Sequence, residues 1–407
     1  MRICIHRGAK EIGGSCVQIE AGGESILIDA GMPLIGDSKS PPILPIVDGR
    51  SLRGIVISHP HQDHYGLLPW MPTTSVLMGD AARRILRAAA PFMRQPPVNL
   101  DGPSLVDRKT VSLGPFRITP YLVDHSAYDS YALLIEADGK RLFYSGDVRM
   151  HGRKSNLVGR LMANPPTPLD VLLLEGTTLG RTSNIAPKTE NAIEGELAGI
   201  FRETTGIALV HVSAQNIDRL VSIFRACLKT NRTLVVDLYT AEILAATGNS
   251  HIPQSAWNRI ALCIPQRQRL QIKKAGLFDV LERHSDHRIF PKTIAKNPGD
   301  YALIFRELWM SDLERANCLD GACLIHSQWD GYLKENRFRK IDAWRQAHSM
   351  PFHQVHTSGH ASPDDLERLV KALNPKMLVP IHSEAPERYS ELYACVTAHA
   401  DGEWWEI

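Results

Sequence analysis

The feature that most limits how this chain can fold is the segment SHPHQDHYG, in which His59, His61, Asp63 and His64 follow directly on the apolar run GIVIS. Side chains alternate along a strand, so His59 and His61, two apart, point to one side. The turn that follows brings Asp63 and His64 to a second position nearby. Imidazole and carboxylate are ligands that suit zinc or manganese, and two such groups side by side make a dinuclear site. A fold for this chain therefore has to end that strand where further ligands can converge on it.

Further candidates stand where other expected strands end: Asp29 after SILI, His125 after YLVD, Asp147 after LFYSG and His382 after MLVPI. Any one of them alone reads as an ordinary loop residue. Together with the histidine cluster they form a set of ligands carried on strand ends, where side chains from distant parts of a chain meet.

The first 180 residues read as strands broken by glycine-rich turns: Cys16–Glu20, Ser25–Asp29, Gly54–Ser58, Tyr131–Glu136, Arg141–Ser145 and Val171–Glu175. AGGES and ADGKR each join two such runs as a hairpin turn. Asp80–Ala90 has helical composition. From about Thr178 the pattern becomes strand and helix in alternation, with helices expected over Glu190–Glu203 and Asn216–Lys229 and strands over Ala208–Ser213 and Thr233–Leu238. That alternation predicts a parallel α/β unit. After Pro351 the chain returns to strand, glycine turn, a helix at Asp364–Leu373 and a strand at Met377–Ile381.

With 407 residues, 43% of them hydrophobic and 22% charged, disorder and coiled coil are excluded, and no apolar run is long enough for a membrane helix. Net charge is +2, so total charge gives no reason to expect nucleic acid; residues 181–350, however, carry 23 Lys and Arg against 18 Asp and Glu. The basic cluster KENRFRK reads as a solvated helix face. The seven cysteines are scattered without a CxxC pair, which argues against a disulfide framework and against a Cys-ligated zinc. No secretory signal is evident at the N-terminus, and a cytoplasmic location is the expectation.

On these residues the sequence resembles the metallo-β-lactamase superfamily. The resemblance implies an α/β fold, an αββα metallo-β-lactamase sandwich with an inserted α/β domain of the β-CASP type. It implies two zinc ions, with manganese the alternative. His59, His61 and His125 would hold one ion, Asp63, His64 and His382 the other, and Asp147 would bridge them; Asp29, in LIDAG, would support the site from behind. The 235 positions between Asp147 and His382 leave room for the large insert. LLLEGTTLG, HTSGHAS and PIHSE, which bracket it, resemble the three β-CASP motifs, with Glu175, His360 and His382 as the motif residues. RGAKEIGGS and SAQNIDR are similar to segments of ribonuclease J-like proteins. The implied division is residues 1–178 for the first part of the metallo-β-lactamase domain, 179–350 for the β-CASP domain and 351–407 for the returning part. Ribonuclease J carries a further C-terminal domain, and this sequence ends 25 residues beyond His382, so the oligomeric state is left open.

The resemblance implies a metal-dependent ribonuclease that cuts single-stranded RNA with a hydroxide activated by two metals, plausibly from the 5′ end. Asp63, Glu175 and His360 would do the proton chemistry, with His360 protonating the leaving oxygen and Glu175 orienting it. His356 and Ser358 would contact phosphate. Arg149 and Lys154 are basic but stay outside the expected site. Trp329 and Tyr332 offer a base-stacking surface, although core packing is their expected role. The alternatives are a DNA nuclease of the same fold and a small-molecule hydrolase of thiolesters or lactams. An inactive RNA-binding scaffold is disfavoured by the complete ligand set. No membrane partner is expected.

Overall fold

A computed structural model describes residues 1–34, 51–72, 74–93, 98–180 and 186–407. The chain divides into two compact units: Met1–Leu86, Gln95–Ala186 and Gly359–Ile407 form the first, and Arg87–Arg94 with Pro187–Ser358 the second.

In the first unit the described residues form two sheets. One has seven strands, in the order Trp404–Glu406, Arg2–Arg7, Cys16–Ala21, Glu24–Ile28, Leu52–Val56, Ser75–Gly79, Ser104–Leu105; the other has six, in the order Pro375–Ile381, Leu169–Glu175, Lys140–Tyr144, Tyr131–Ala137, Phe116–Leu122, Val111–Leu113. Alternation assigns the faces. Ile26 and Ile28 of the first sheet meet Leu133, Ile135, Leu142, Tyr144, Val171 and Leu173 of the second in one buried core. Leu134, Phe143, Leu172 and Leu174 point the other way, onto the helices Ser155–Ala163 and Pro363–Leu373 through Val158, Leu161, Leu366 and Leu369. On the far side Leu27, Ile55 and Met78 pack against Ala82 and Leu86 of the helix Asp80–Ala89. Strands buried on both faces explain the near-continuous apolar runs. The result is the four-layer αββα arrangement that the superfamily resemblance implies.

In the second unit the described strands form a six-stranded, all-parallel sheet in the order Ile260–Leu262, Thr233–Val236, Tyr301–Phe305, Ala208–His211, Cys323–His326, Phe352–Gln354. Ala208–His211 and Thr233–Val236, consecutive in the chain, do not pair, because Tyr301–Phe305 lies between them. Local pattern carries no information on which later strand is inserted. A buried Arg219 ties this sheet's end together. It forms a two-pronged pair with Glu190 (3.2 and 3.1 Å) and donates to Ser327 Oγ at 2.5 Å and to the Val355 carbonyl at 3.3 Å.

Trp329 and Tyr332 correct the sequence reading. They are 48% and 39% exposed, on a loop and short helical turn beyond the strand Cys323–His326. The core beneath is already filled by Phe305, Phe338 and Trp344. No described helix is long and apolar enough to cross a membrane.

Candidate metal centre

Six strand ends and one helical turn of the first unit build the site. Leu52–Val56 leads into His59 and His61, and the single turn Gln62–Tyr65 folds Asp63 and His64 back beside them. This return needs a bare backbone at Gly31, where a Cβ would stand 1.8 Å from the Asp63 carbonyl oxygen. Asp29 and His382 end their strands in the left-handed region, at φ 58° and 53°. Each is held there by a backbone bond, Asp29 N–H to the Val56 carbonyl at 2.8 Å and His382 N–H to the Gly8 carbonyl at 2.7 Å. Non-glycine residues at positive φ are uncommon, and two of them at one cluster aim their side chains where an extended strand would not.

The side chains converge. One ligand atom each from His59, His61, His125 and Asp147 lies within 4.8 Å of the others, and the same holds for Asp63, His64 and His382, and for Asp147, His360 and His382. Asp147 thus belongs to two of these groups. Its Oδ2 is 3.6 Å from His59 Nε2, 3.3 Å from His64 Nε2 and 3.8 Å from His125 Nε2. His125 Nε2 and His61 Nδ1 face each other at 3.1 Å, and Asp63 Oδ2 is 3.4 Å from His382 Nε2.

Other ring nitrogens are occupied from behind, which fixes which edge faces the cluster. His64 Nδ1–H donates to Asp29 Oδ2 at 2.7 Å, and His125 Nδ1–H to the Gly359 carbonyl at 2.6 Å. Ser58 Oγ stands 3.0 Å from His59 Nδ1, and Thr177 Oγ1 2.9 Å from His382 Nδ1. Asp29 is fully buried and also accepts from Ser58 N–H (2.7 Å), Ser58 Oγ–H (2.8 Å) and Tyr144 O–H (2.7 Å). Ser58, Tyr144, Thr177 and Gly359 were not foreseen. Ser58 directly precedes the histidine motif, which was a usable signal; the others act across long stretches of chain.

Against this supported back, His59 Nε2, His64 Nε2 and Asp147 Oδ1 are buried and find no hydrogen-bond partner among the described residues. Buried polar atoms are seldom left so, and three of them on metal-ligating groups facing one point fit a divalent cation. For three of the histidines the electrostatics agree. Burial, together with neighbouring imidazoles, holds His59 and His125 well below the ordinary histidine range and His61 down at about 4, so all three are neutral donors. Burial also opposes charge on His64, but Asp147, Asp29 and Asp63 outweigh it and hold it well above that range. Asp63 is kept at about 2: burial works against its charge, and His64 and His382 overcome it.

His360 Nδ1 lies 3.3 Å from Glu175 Oε1 and 3.9 Å from Asp147 Oδ2, and His360, at 18%, is partly exposed, as is His61. Glu175 is fixed by Val148 N–H at 3.4 Å and Thr177 N–H at 3.0 Å. His360 does not cap the helix that follows; Ser362 does, accepting from Asp365 N–H at 3.2 Å. His356 and Ser358 belong to the second unit. Between them Thr357 is committed to structure, donating to the Lys188 carbonyl at 2.6 Å. Arg149 is fully buried and paired with Asp124 at 3.2 Å, and Lys154 donates to the Ala127 carbonyl at 3.2 Å.

Two family profiles match the sequence: a beta-lactamase superfamily domain over residues 24–195, and a Zn-dependent metallo-hydrolase RNA specificity domain over residues 349–391. With the four-layer fold and the ligands at its strand ends, the first of these makes residues 24–195 a beta-lactamase superfamily domain. The curated proteins this chain is similar to include several named ribonuclease J. It is 24% identical to ribonuclease J of Helicobacter pylori, over 93% of this chain and 55% of the relative, and 23% identical to ribonuclease J of Mycobacterium tuberculosis, over 94% and 68%. The chain thus spans about half the length of the first of these relatives. A crystal structure of a protein of unknown function from Enterococcus faecalis V583 shares the fold, with TM-score 0.81 and 19% identity over 99% of both chains.

Proposed function

We propose that this chain is a metal-dependent ribonuclease that hydrolyses phosphodiester bonds of single-stranded RNA. The observation that carries the reading is the set of buried, unpartnered atoms on His59, His64 and Asp147, inside a cluster whose other ring edges are tied from behind. The match to an RNA specificity domain and the ribonuclease J relatives support RNA as the substrate. In this reading His59, His61 and His125 hold one divalent ion, Asp63, His64 and His382 a second, and Asp147 is shared; zinc is the proposed ion, with manganese the alternative.

Bound there, such ions lower the pKa of water towards neutrality and neutralise charge on the phosphoryl oxygens. The chain's own groups do the rest. His59, His61 and His125, neutral through burial, offer lone pairs without first losing a proton. Asp63, held ionised, accepts the proton of the attacking water. His360 donates a proton to the leaving oxygen, and Glu175, 3.3 Å from its Nδ1, positions the ring. Asp29 fixes the edge that His64 presents. His356 and Ser358 contact phosphate, and with a 5′-terminal phosphate held there the enzyme works from the 5′ end.

The test is a cleavage time course on one RNA oligonucleotide with a 5′-monophosphate or a 5′-hydroxyl, beside the matching DNA, with added zinc or manganese. Mononucleotides released from the monophosphorylated RNA by wild type, and a loss of about a hundredfold or more in His360→Ala, are expected. Internal cuts regardless of the 5′ group would replace the exonuclease reading with an endonuclease. No cutting by the metal-loaded wild type, or equal cutting by the variant, would overturn the mechanism.

A further inference from the structure

The second unit has a polar crevice of its own at the carboxyl end of its parallel sheet. The chain leaving Ala208–His211 runs to one half of that sheet, and the chain leaving Tyr301–Phe305 crosses to the other half. Where the direction of winding reverses, connecting segments part and leave a crevice in which α/β sheets bind ligands. His211 and Arg306, at the ends of those two strands, line a cavity of about 290 Å³ together with Tyr239, Gln328, Tyr332, Glu335 and Arg337. That volume is near the lower end for ligand cavities, about 300 Å³. It has room for one nucleotide and none for a duplex.

The lining is prepared for an anion with an aromatic body. Arg306 is anchored by Asp237 and lies over the Tyr239 ring, 4.8 Å from its centre. Its Nε is buried without a hydrogen-bond partner among the described residues. Arg337 stands at the rim, 3.6 Å from Glu307 and 64% exposed. Glu335 is the acidic group in the lining and sets its polarity at one edge.

Beside the crevice, the exposed Trp329 ring is seated on Gly331, where a Cβ would fall 2.4 to 2.6 Å from three indole carbons, and Tyr332 meets it edge-on at 5.5 Å. The loop that carries Trp329 is fastened by a chain of neutral imidazoles. Gln328 Nε2 donates to His211 Nε2 at 3.2 Å, so His211 carries its proton on Nδ1 and donates to His326 Nδ1 at 3.2 Å. His326 Nε2–H then points at the Trp329 carbonyl, 3.4 Å away. Burial lowers the pKa of both histidines, which keeps this order of donors.

We propose that this crevice is a nucleotide-binding subsite for the RNA strand, with Trp329 stacking on a base and Arg306 and Arg337 facing its phosphate. It rests on the reading of RNA as the substrate. Aromatic stacking contributes about 1–3 kcal/mol per base, so loss of the platform should cost about tenfold in affinity.

The probe is a labelled twelve-nucleotide oligouridylate, its binding followed by fluorescence anisotropy in EDTA, with 5′-UMP, uridine and inorganic phosphate as competitors. Cleavage of a short dinucleotide substrate is measured separately with metal present. Trp329→Ala and Arg337→Gln should each weaken oligouridylate binding about tenfold, and Gly331→Ala, which unseats the indole without removing it, should act in the same direction. 5′-UMP should compete better than uridine or phosphate. Wild-type affinity in both of the first two variants, with RNA still cleaved, would overturn the subsite and leave the nuclease reading standing. If wild type cleaves no RNA but 5′-UMP binding still depends on Trp329, the site belongs to a free nucleotide, and both the strand reading and the nuclease reading fall.

Discussion

The two units solve the same problem in opposite ways. Each is an α/β assembly whose strands end in buried polar side chains. In the second, most of those groups satisfy one another: Arg219 is paired with Glu190 and bonded to Ser327, and Gln328, His211 and His326 form a chain, with Arg306 Nε the exception at the crevice. In the first, one edge of the His59, His64, His125 and His382 rings is held from behind, and His59 Nε2, His64 Nε2 and Asp147 Oδ1 remain without hydrogen-bond partners among the described residues. Histidine at a strand end is therefore no signal in itself. What separates a metal centre from a structural network is whether the second nitrogen is spent.

The comparison can be broken most severely at Asp147. Asp147→Asn removes the shared carboxylate, and RNA cleavage should fall by about a hundred- to a thousandfold, read from initial rates at saturating metal. Metal content should fall with it while the circular dichroism spectrum is kept. Arg219→Met acts on the other side. It leaves Glu190 charged and buried, and should destabilise the second unit by about 3–5 kcal/mol in urea denaturation, with zinc binding to the first unit retained. Asp29→Ala touches no ion directly but frees the His64 ring, and should weaken metal binding by about ten- to a hundredfold in a competition titration. The smallest effect is on acid stability. His211 is held at about 3 by burial, then by His326 and Arg337, so unfolding takes up a proton at pH values between there and the ordinary histidine value of about 6.5. The second unit's stability should be full above that window and decline as pH falls through it, and His211→Asn should flatten the decline.

Much of this was legible in the sequence, and the reason differs by residue. His59 and His61 were legible as a pair two apart directly after an apolar run, although both lie past the end of the strand Leu52–Val56, and Asp63 and His64 because the turn follows at once. Asp29, Asp147 and His382 were legible as the ends of apolar runs. Strands buried on both faces were legible from their apolar runs, while the αββα layering came from the superfamily resemblance. Contacts that join distant parts of the chain were not legible: Tyr144 to Asp29, Thr177 to His382 and the Gly359 carbonyl to His125 span 115, 205 and 234 positions. The interleaving of Tyr301–Phe305 between two earlier strands belongs to the same class. Trp329 was misread for a different reason. An aromatic residue after a buried strand packs inward only if the core has room, and Phe305, Phe338 and Trp344 had already taken it.

The central claim is that the open fronts of His59, His64 and Asp147 exist to hold divalent cations. A calorimetric titration of zinc into chelator-stripped protein addresses it directly. Two equivalents taken up by wild type, with binding lost or reduced to one weak equivalent in Asp147→Asn, is the predicted result. No uptake by the folded wild type, or uptake undiminished in the variant, would contradict the account.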